Sequence, residues 1–225
     1  MKTIHFSDSI KTKIQSLQFG LIEANGVKVG PAGEGFETEL EKLIAELKEK
    51  FANKAPSEDL IVSAIRRMYR EVGWEPTKYR PSSEALIRRL IQGKGLYSIN
   101  NLVDYGNLVS ARFHVPMGLY DLDKVQGDIF IDTGKEGESY AGISKPQIRA
   151  TGKIILRDDL GVFGNPTADS ARTSIREDTK HVLAVFFCPA TLQTSYIKET
   201  IQQLASFYTR FTTEQNVTTH IQIVE

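Results

Sequence analysis

The stretch N-N-L-V-D-Y-G-N-L-V-S-A-R-F-H-V-P-M-G-L-Y-D-L-D-K, Asn100 to Lys124, changes its period in the middle. Up to Phe113 it reads as a helix: Leu102, Val103, Leu108 and Val109 form a core side. Asn101, Asp104 and Asn107 recur at three-residue spacing, close to one face. Short polar side chains compete for backbone hydrogen bonds and weaken a helix interior, so a row of them implies a polar neighbour. Two readings stay open: hydrogen bonds to adjoining loops, or one wall of a ligand cleft. Beyond Pro116 the period falls to two, which predicts a strand.

Working outward, Met1–Phe6 and Ile14–Val27 read as strands with a helical turn at Ser7–Ile10. Gly30 to Gly35 is a loop; its spacing fits neither the nucleotide-loop nor the dinucleotide fingerprint. Helices are predicted over Phe36–Phe51, from Pro56 to about Gly73 with Ser57 as N-cap, and from Pro81 through Ile91. Strands are predicted at Asp128–Thr133, Lys153–Arg157, Gly161–Phe163 and His181–Phe187, then a helix over Leu192–Phe211 and a closing strand at Thr218–Val224. This order predicts an α+β fold, a mostly antiparallel sheet packed by helices. Residues 1–30 are read as a strand-rich extension packed on a main domain of residues 31–225.

The chain has 225 residues and a formal net charge of zero, so no global field draws it to nucleic acid or an anionic membrane. Its single cysteine, Cys188, lies in an apolar run and reads as a buried, inert thiol. No metal-ligand cluster and no cofactor fingerprint is visible, so neither a metal nor a cofactor is expected. No apolar run approaches the roughly twenty residues of a membrane span, and no leader pattern opens the chain. A cytoplasmic protein without a membrane partner is the expectation.

Charge is nonetheless uneven. Arg66, Arg67, Arg70, Arg88 and Arg89 are interleaved with Tyr69, Trp74, Tyr79 and Tyr97. That pattern suits phosphate contact with base stacking, and marks these arginines as the candidate RNA footprint. It equally suits solvated amphipathic helices whose Arg stems cover apolar surface. A second constellation is Asp158-Asp159-Leu160-Gly161 followed by Asp169, Arg172 and Thr173. The last three offer an acceptor, a donor fork and a hydroxyl for a ligand carrying an amine and a carboxyl or ester group. Alternatively, Asp169 and Arg172 pair locally to pin a turn. His114, beside Phe113 and Val115, reads as a packing residue rather than a base.

The helix N-N-x-V-D-x-x-N, the Pro two residues before Gly118, Y-D-L-D-K, Asp128, Asp158-Asp159-Leu160-Gly161, Asp169-Ser170-x-x-Thr173 and Thr179 occur in an order that resembles the B3/4 domain of the phenylalanyl-tRNA synthetase beta subunit. The resemblance is strongest over residues 80–190. In the synthetase this domain hydrolyses tyrosine wrongly attached to the phenylalanine tRNA. Asn107 stands where an Asn lines that site. The family's P-L-H-A-F-D, whose His is associated with editing, is here Pro116-Met117-Gly118-Leu119-Tyr120-Asp121. A family Glu in the strand matching Val182–Phe187 is absent, an Arg corresponds to Asn101, and a Thr corresponds to Gly106.

The resemblance implies a stand-alone B3/4-like protein that binds an aminoacyl-tRNA end or an amino-acid-like small molecule. It would act as a deacylase of mischarged tRNA, an ester hydrolase, and not as a complete synthetase. Asn107 is then the candidate positioning residue, with no catalytic residue assigned. Asn100, Asn101, Asp104, Asn107, Gly118, Asp169, Arg172 and Thr173 form the candidate ligand site, with Asp121 and Asp123 as nearby carboxylates. The competing reading is a non-catalytic small-molecule or protein-binding module that kept the fold.

Overall fold

The computed structural model describes residues 2–14, 17–211 and 213–224. Met1, Gln15 and Ser16, inside the two expected N-terminal strands, lie outside the described residues. Along the chain come β1 (Ile4–Phe6), α1 (Asp8–Lys13), β2 (Leu17–Val27), α2 (Glu34–Lys50), α3 (Leu60–Glu71), α4 (Ser82–Ile91) and α5 (Asn101–Phe113). There follow β3 (Met117–Asp121), β4 (Ile129–Thr133), β5 (Ser139–Tyr140), β6 (Ile148–Arg149), β7 (Ile154–Asp158), β8 (Gly161–Asn165), β9 (Ala168–Asp169), β10 (His181–Pro189), α6 (Thr194–Phe211) and β11 (Thr213–Val224). The α+β class read from the sequence is the class observed. Every strand pair is antiparallel except β1 with β4.

Two larger sheets carry the architecture, ordered β11-β2-β10-β3 and β1-β4-β7-β8-β9, beside a β5-β6 ribbon. Residues from the first thirty thus supply an edge strand to one sheet and an inner strand to the other. In the four-stranded sheet β10 pairs with β2 from His181↔Asn25 to Pro189↔Leu17. Val182 to Pro189 are all buried, which is why this strand reads as a continuous apolar run rather than an alternation. Helix α6 covers β2 at close range: a β-carbon on Gly20 would lie 2.7 Å from Ile201 Cγ2. The missing side chain lets the helix seat. Cys188 is buried in the same layer, and burial pushes its thiol up to about 12, as an inert packing residue requires. No helix among the described residues is long and apolar enough to cross a membrane.

The expected cap at Ser57 is replaced by Asp59. Residues Pro56–Glu58 form a 3-10 turn in which Glu58 Oε1 accepts from Ala55 N at 2.7 Å. The chain then extends, and Asp59 Oδ1 accepts from Ile61 N and Val62 N at the start of α3. Asp59 also meets His114 Nδ1 at 2.8 Å and Lys50 Nζ at 2.9 Å. His114 ends α5 in the left-handed conformation, φ 61°. It is buried, which supports the packing reading: it ties the end of α5 to the start of α3.

Burial alone would raise the Asp59 carboxyl, but the His114 and Lys50 contacts and the Val62 N–H hold it well below its usual value. Its stabilisation is therefore present above pH 4 and lost as pH falls below it. Asp59→Asn, which keeps a cap and removes the charge, is expected to lower stability by about 1–3 kcal/mol at neutral pH. Urea unfolding at pH 7 and pH 3 should show the difference shrinking in acid.

Candidate functional site

Helix α5 uses its polar stripe in two ways. Asn101 bonds the loop before α2: its Oδ1 accepts from Gly30 N at 3.1 Å, its Nδ2 donates to Lys28 O at 2.9 Å, and its own N donates to Gly30 O. Asn100 is the N-cap, accepting from Val103 N. Asp104 accepts from Ile99 N at 3.0 Å, and burial raises its carboxyl. These three are consumed by the backbone around the helix start. Asn107, one turn further, has no side-chain hydrogen-bond partner among the described residues and lines a cleft of about 650 Å³.

The cleft is walled by the segment before α4, by Met117 of β3, by the loop between β5 and β6, by Lys153 ahead of β7, and by β9. Its lining holds five cations, Lys78, Arg80, Lys145, Arg149 and Lys153, against one carboxylate, Asp169. The turn that delivers Asp169 is organised by Asn165, whose Oδ1 accepts from Thr167 N at 2.8 Å and Ala168 N at 3.2 Å. Asn165 Nδ2 in turn donates to the Tyr140 hydroxyl, which donates to Ala168 O at 2.6 Å.

Asp169 Oδ2 accepts from Leu119 N at 3.2 Å, while its buried Oδ1 lacks a well-formed hydrogen bond. The Tyr120 hydroxyl faces that oxygen and is itself buried without a regular partner. Burial pushes the Asp169 carboxyl up to about 7, against the lowering pull of the Tyr120 hydroxyl and Leu119 N–H. Burial, then the Asp169 charge, hold the Tyr120 phenol well above its usual range. A half-satisfied buried carboxylate is costly and marks a place where a ligand donor fits.

Gly118 sits below this pair. A β-carbon there would overlap the Tyr120 hydroxyl and lie 2.9 Å from Asp169 Oδ1. The phenol of Tyr120 thus fills the space that a side chain at position 118 would need.

Several expected members are elsewhere. Arg172 does not join Asp169; it grips Asp158 in a bidentate pair at 3.0 and 2.8 Å and donates to Lys124 O. Thr173 is fully buried, with its hydroxyl toward Phe163 O. The chain turns away after β9, so only Asp169 of that trio reaches the cleft. Asp121 accepts from Thr179 and Asp123 N, and Asp123 pairs with His181 at 2.8 Å. Arg66 and Arg88 are both spent on the buried Glu84, each at 2.9 Å. Arg89 stacks on Tyr97 at 4.0 Å, and Arg67 and Arg70 are exposed on α3. The cleft's own cations, Lys145, Arg149 and Lys153, were missed. They lie in a loop, in the two-residue β6 and just before β7, where no period singles them out.

An α+β domain whose one buried carboxylate opens into a basic cleft is the class these elements define. Residues 64–223 match the B3/4 domain, and the chain belongs to that family. Similar proteins include the phenylalanine–tRNA ligase beta subunit of Aquifex aeolicus, 31% identical over 157 residues, covering 67% of this chain and 19% of that subunit. The corresponding subunit of Fusobacterium nucleatum is 28% identical over 130 residues, covering 54% of this chain and 15% of its own. The chain therefore matches less than a fifth of either relative's length. An N-terminal fragment of the phenylalanyl-tRNA synthetase beta subunit from Pyrococcus horikoshii aligns over 99% of this chain and 54% of its own, with 11% identity and a TM-score of 0.47.

Replacing Gly118 by His, the residue of the resembled motif, is expected to displace the Tyr120 ring. That ring stacks edge-on against Phe163 at 4.9 Å between centroids. The overpacking should cost about 1–3 kcal/mol. A thermal scan of Gly118→Ala and Gly118→His should show Tm falling in that order.

Proposed function

We propose that the cleft binds the aminoacylated 3′ end of a tRNA and promotes hydrolysis of its ester. The observation that carries this is that one buried carboxylate, Asp169, shares a cleft with five cations and the unpaired side-chain amide of Asn107. An aminoacylated nucleotide has the complementary make-up: a cationic α-ammonium close to the ester, with phosphates further off. Asp169 Oδ1 would accept from the α-ammonium beside the Tyr120 hydroxyl that faces it. Asn107 would hold a water against the ester carbonyl. The water oxygen bonds to the carbonyl carbon and the ester C–O bond breaks. The proton passes through the neighbouring ribose hydroxyl to the leaving ribose oxygen, giving free amino acid and uncharged tRNA. No side chain of this protein need serve as a base, which suits a site where Gly118 stands at the position of the resembled domain's His. Such a substrate goes with action in the cytoplasm.

The same absence of the His at Gly118 favours a second reading, a binding module without chemistry. Fold membership does not choose between them.

Asn107→Ala is expected to slow release of amino acid by about tenfold or more, since one positioning hydrogen bond is worth on the order of 1–3 kcal/mol. Asp169→Asn should abolish binding of a non-hydrolysable aminoacyl-adenosine. For the native protein, that affinity should rise as pH passes up through about 7, where Asp169 ionises. It should fall again near pH 8 as the ligand's α-amine loses its proton. Aminoacyl-adenosine binding that is indifferent to Asp169 sinks the reading. Binding without turnover on a panel of mischarged tRNAs leaves the binding module as the better account.

A further inference from the structure

Lys153 plays no part in that chemistry. It stands one residue before β7 with only 6% of its surface exposed, yet it lines the cleft. No carboxylate and no hydrogen-bond acceptor meets its ammonium among the described residues. Instead Nζ lies 4.7 Å from the centroid of Trp74 and 5.4 Å from that of Tyr79. These two rings stack 5.5 Å apart at 19°. The rings hold the charge by cation–π attraction but leave its N–H donors without an oxygen. Arg149 approaches from β6, Lys145 from the β5–β6 loop, and Lys78, whose Nζ is 5.4 Å from the Tyr79 centroid, from the segment before α4. Burial first, then Arg149 and Lys145, bring the Lys153 amine down to about 8. A buried ammonium surrounded by its own sign is costly unless an anion completes it.

We propose that Lys153, with Lys145 and Arg149, forms a phosphate-binding subsite that takes a backbone phosphate of the RNA end bound in the cleft. The proposal rests on the reading above and places the RNA's charged strand along this wall. A phosphate, with several acceptor oxygens, uses three converging cations where a single carboxylate would leave donors unpaired. Exposed Ile99 and Ile143 on the same rim offer apolar surface beside the phosphate for a base or sugar face.

Trp74 is the only tryptophan in the chain and lies against the ammonium, so its fluorescence reports directly on the subsite. Titrations would use adenosine 5′-monophosphate, a C-C-A trinucleotide, inorganic phosphate, and adenosine as the phosphate-free control. The expected result is a Trp74 response to the phosphorylated nucleotides that weakens with salt. Affinity for them should be at least tenfold lower in Lys153→Met and reduced in Lys145→Ala and Arg149→Ala. Adenosine should not distinguish these variants from the native protein. Lys153→Met should match or exceed the native Tm, because it removes a buried charge. Undiminished nucleotide binding in Lys153→Met overturns the proposal, as does a Tm several degrees lower, which would make the ammonium a structural element. Inorganic phosphate binding as tightly as the trinucleotide overturns the RNA assignment. The phosphate-free aminoacyl-adenosine separates the two ideas. If it binds through Asp169 while phosphate adds nothing, this subsite fails and the reading stands. If nucleotides bind through Lys153 and the aminoacyl compound ignores Asp169, the subsite stands and the reading fails.

Discussion

Strand β10 is buried along nearly its whole length and paired on both edges, and the cleft inherits its geometry from that pairing. Its register against β3 runs from Val182↔Asp121 to Phe186↔Met117. This places Met117 at the cleft and turns the Tyr120 ring inward against Phe163. It also aims Leu119 N at the Asp169 carboxylate. A slip by one residue would exchange the two faces of β3 and remove both the N–H and the phenol from Asp169. The ladder of β3 with β10 holds that register. Strand pairing thus fixes a polar arrangement of a few ångströms inside the cleft.

The charged groups sort by whether the fold completes them. Glu84, fully buried, is met by Arg66 and Arg88, with Arg80 Nε at 3.7 Å. Asp158 receives both ends of the Arg172 fork, and Asp59 has His114 and Lys50. Two charged groups of the cleft lining lack a full set of partners, the Oδ1 side of Asp169 and the ammonium of Lys153, while outside the cleft Arg89, Arg112 and Arg157 each bury an Nε without a hydrogen bond. Incomplete buried charge costs more than a paired charge contributes, so the meeting of an acid and a base of this kind in one concavity points to function. Glu84 also bears on the cleft indirectly, by drawing Arg80 toward it from the rim.

The fold was legible because its signals are long. The apolar run at His181–Phe187, the stripe of α6 and the period change at Pro116 each span several residues, and each became the element they predict. The two-residue strands β5, β6 and β9 carry no period and were not visible. The site was legible only in part, for a different reason. Three-residue spacing shows that Asn101, Asp104 and Asn107 share a face. It does not show that the loop at Lys28–Gly30 and the turn at Ile99 consume the first two. Arg172 and Asp169 are near in sequence, yet the better partner of Arg172 is Asp158 across the β7–β8 hairpin. Lys153 looked like the first residue of a strand; its burial against Trp74 joins residues nearly eighty positions apart.

Gly118 and Tyr120 depend on one another: with a side chain at 118 the Tyr120 hydroxyl has no room. The consequence is chemical. An imidazole titrates near neutrality and can relay protons there, whereas the Tyr120 phenol is held far above that range by burial and by Asp169. The groups of the cleft left titrating near neutrality are Asp169, at about 7, and Lys153, at about 8. Burial raises the first; burial, with Arg149 and Lys145 nearby, lowers the second. A cationic ligand would draw the first down into its ionised form, and an anionic one would draw the second up into its charged form. One zwitterionic ligand spanning both would settle both protonation states at once. The protein's contribution would then be electrostatic positioning, and the proton transfers of any hydrolysis would fall to the substrate itself.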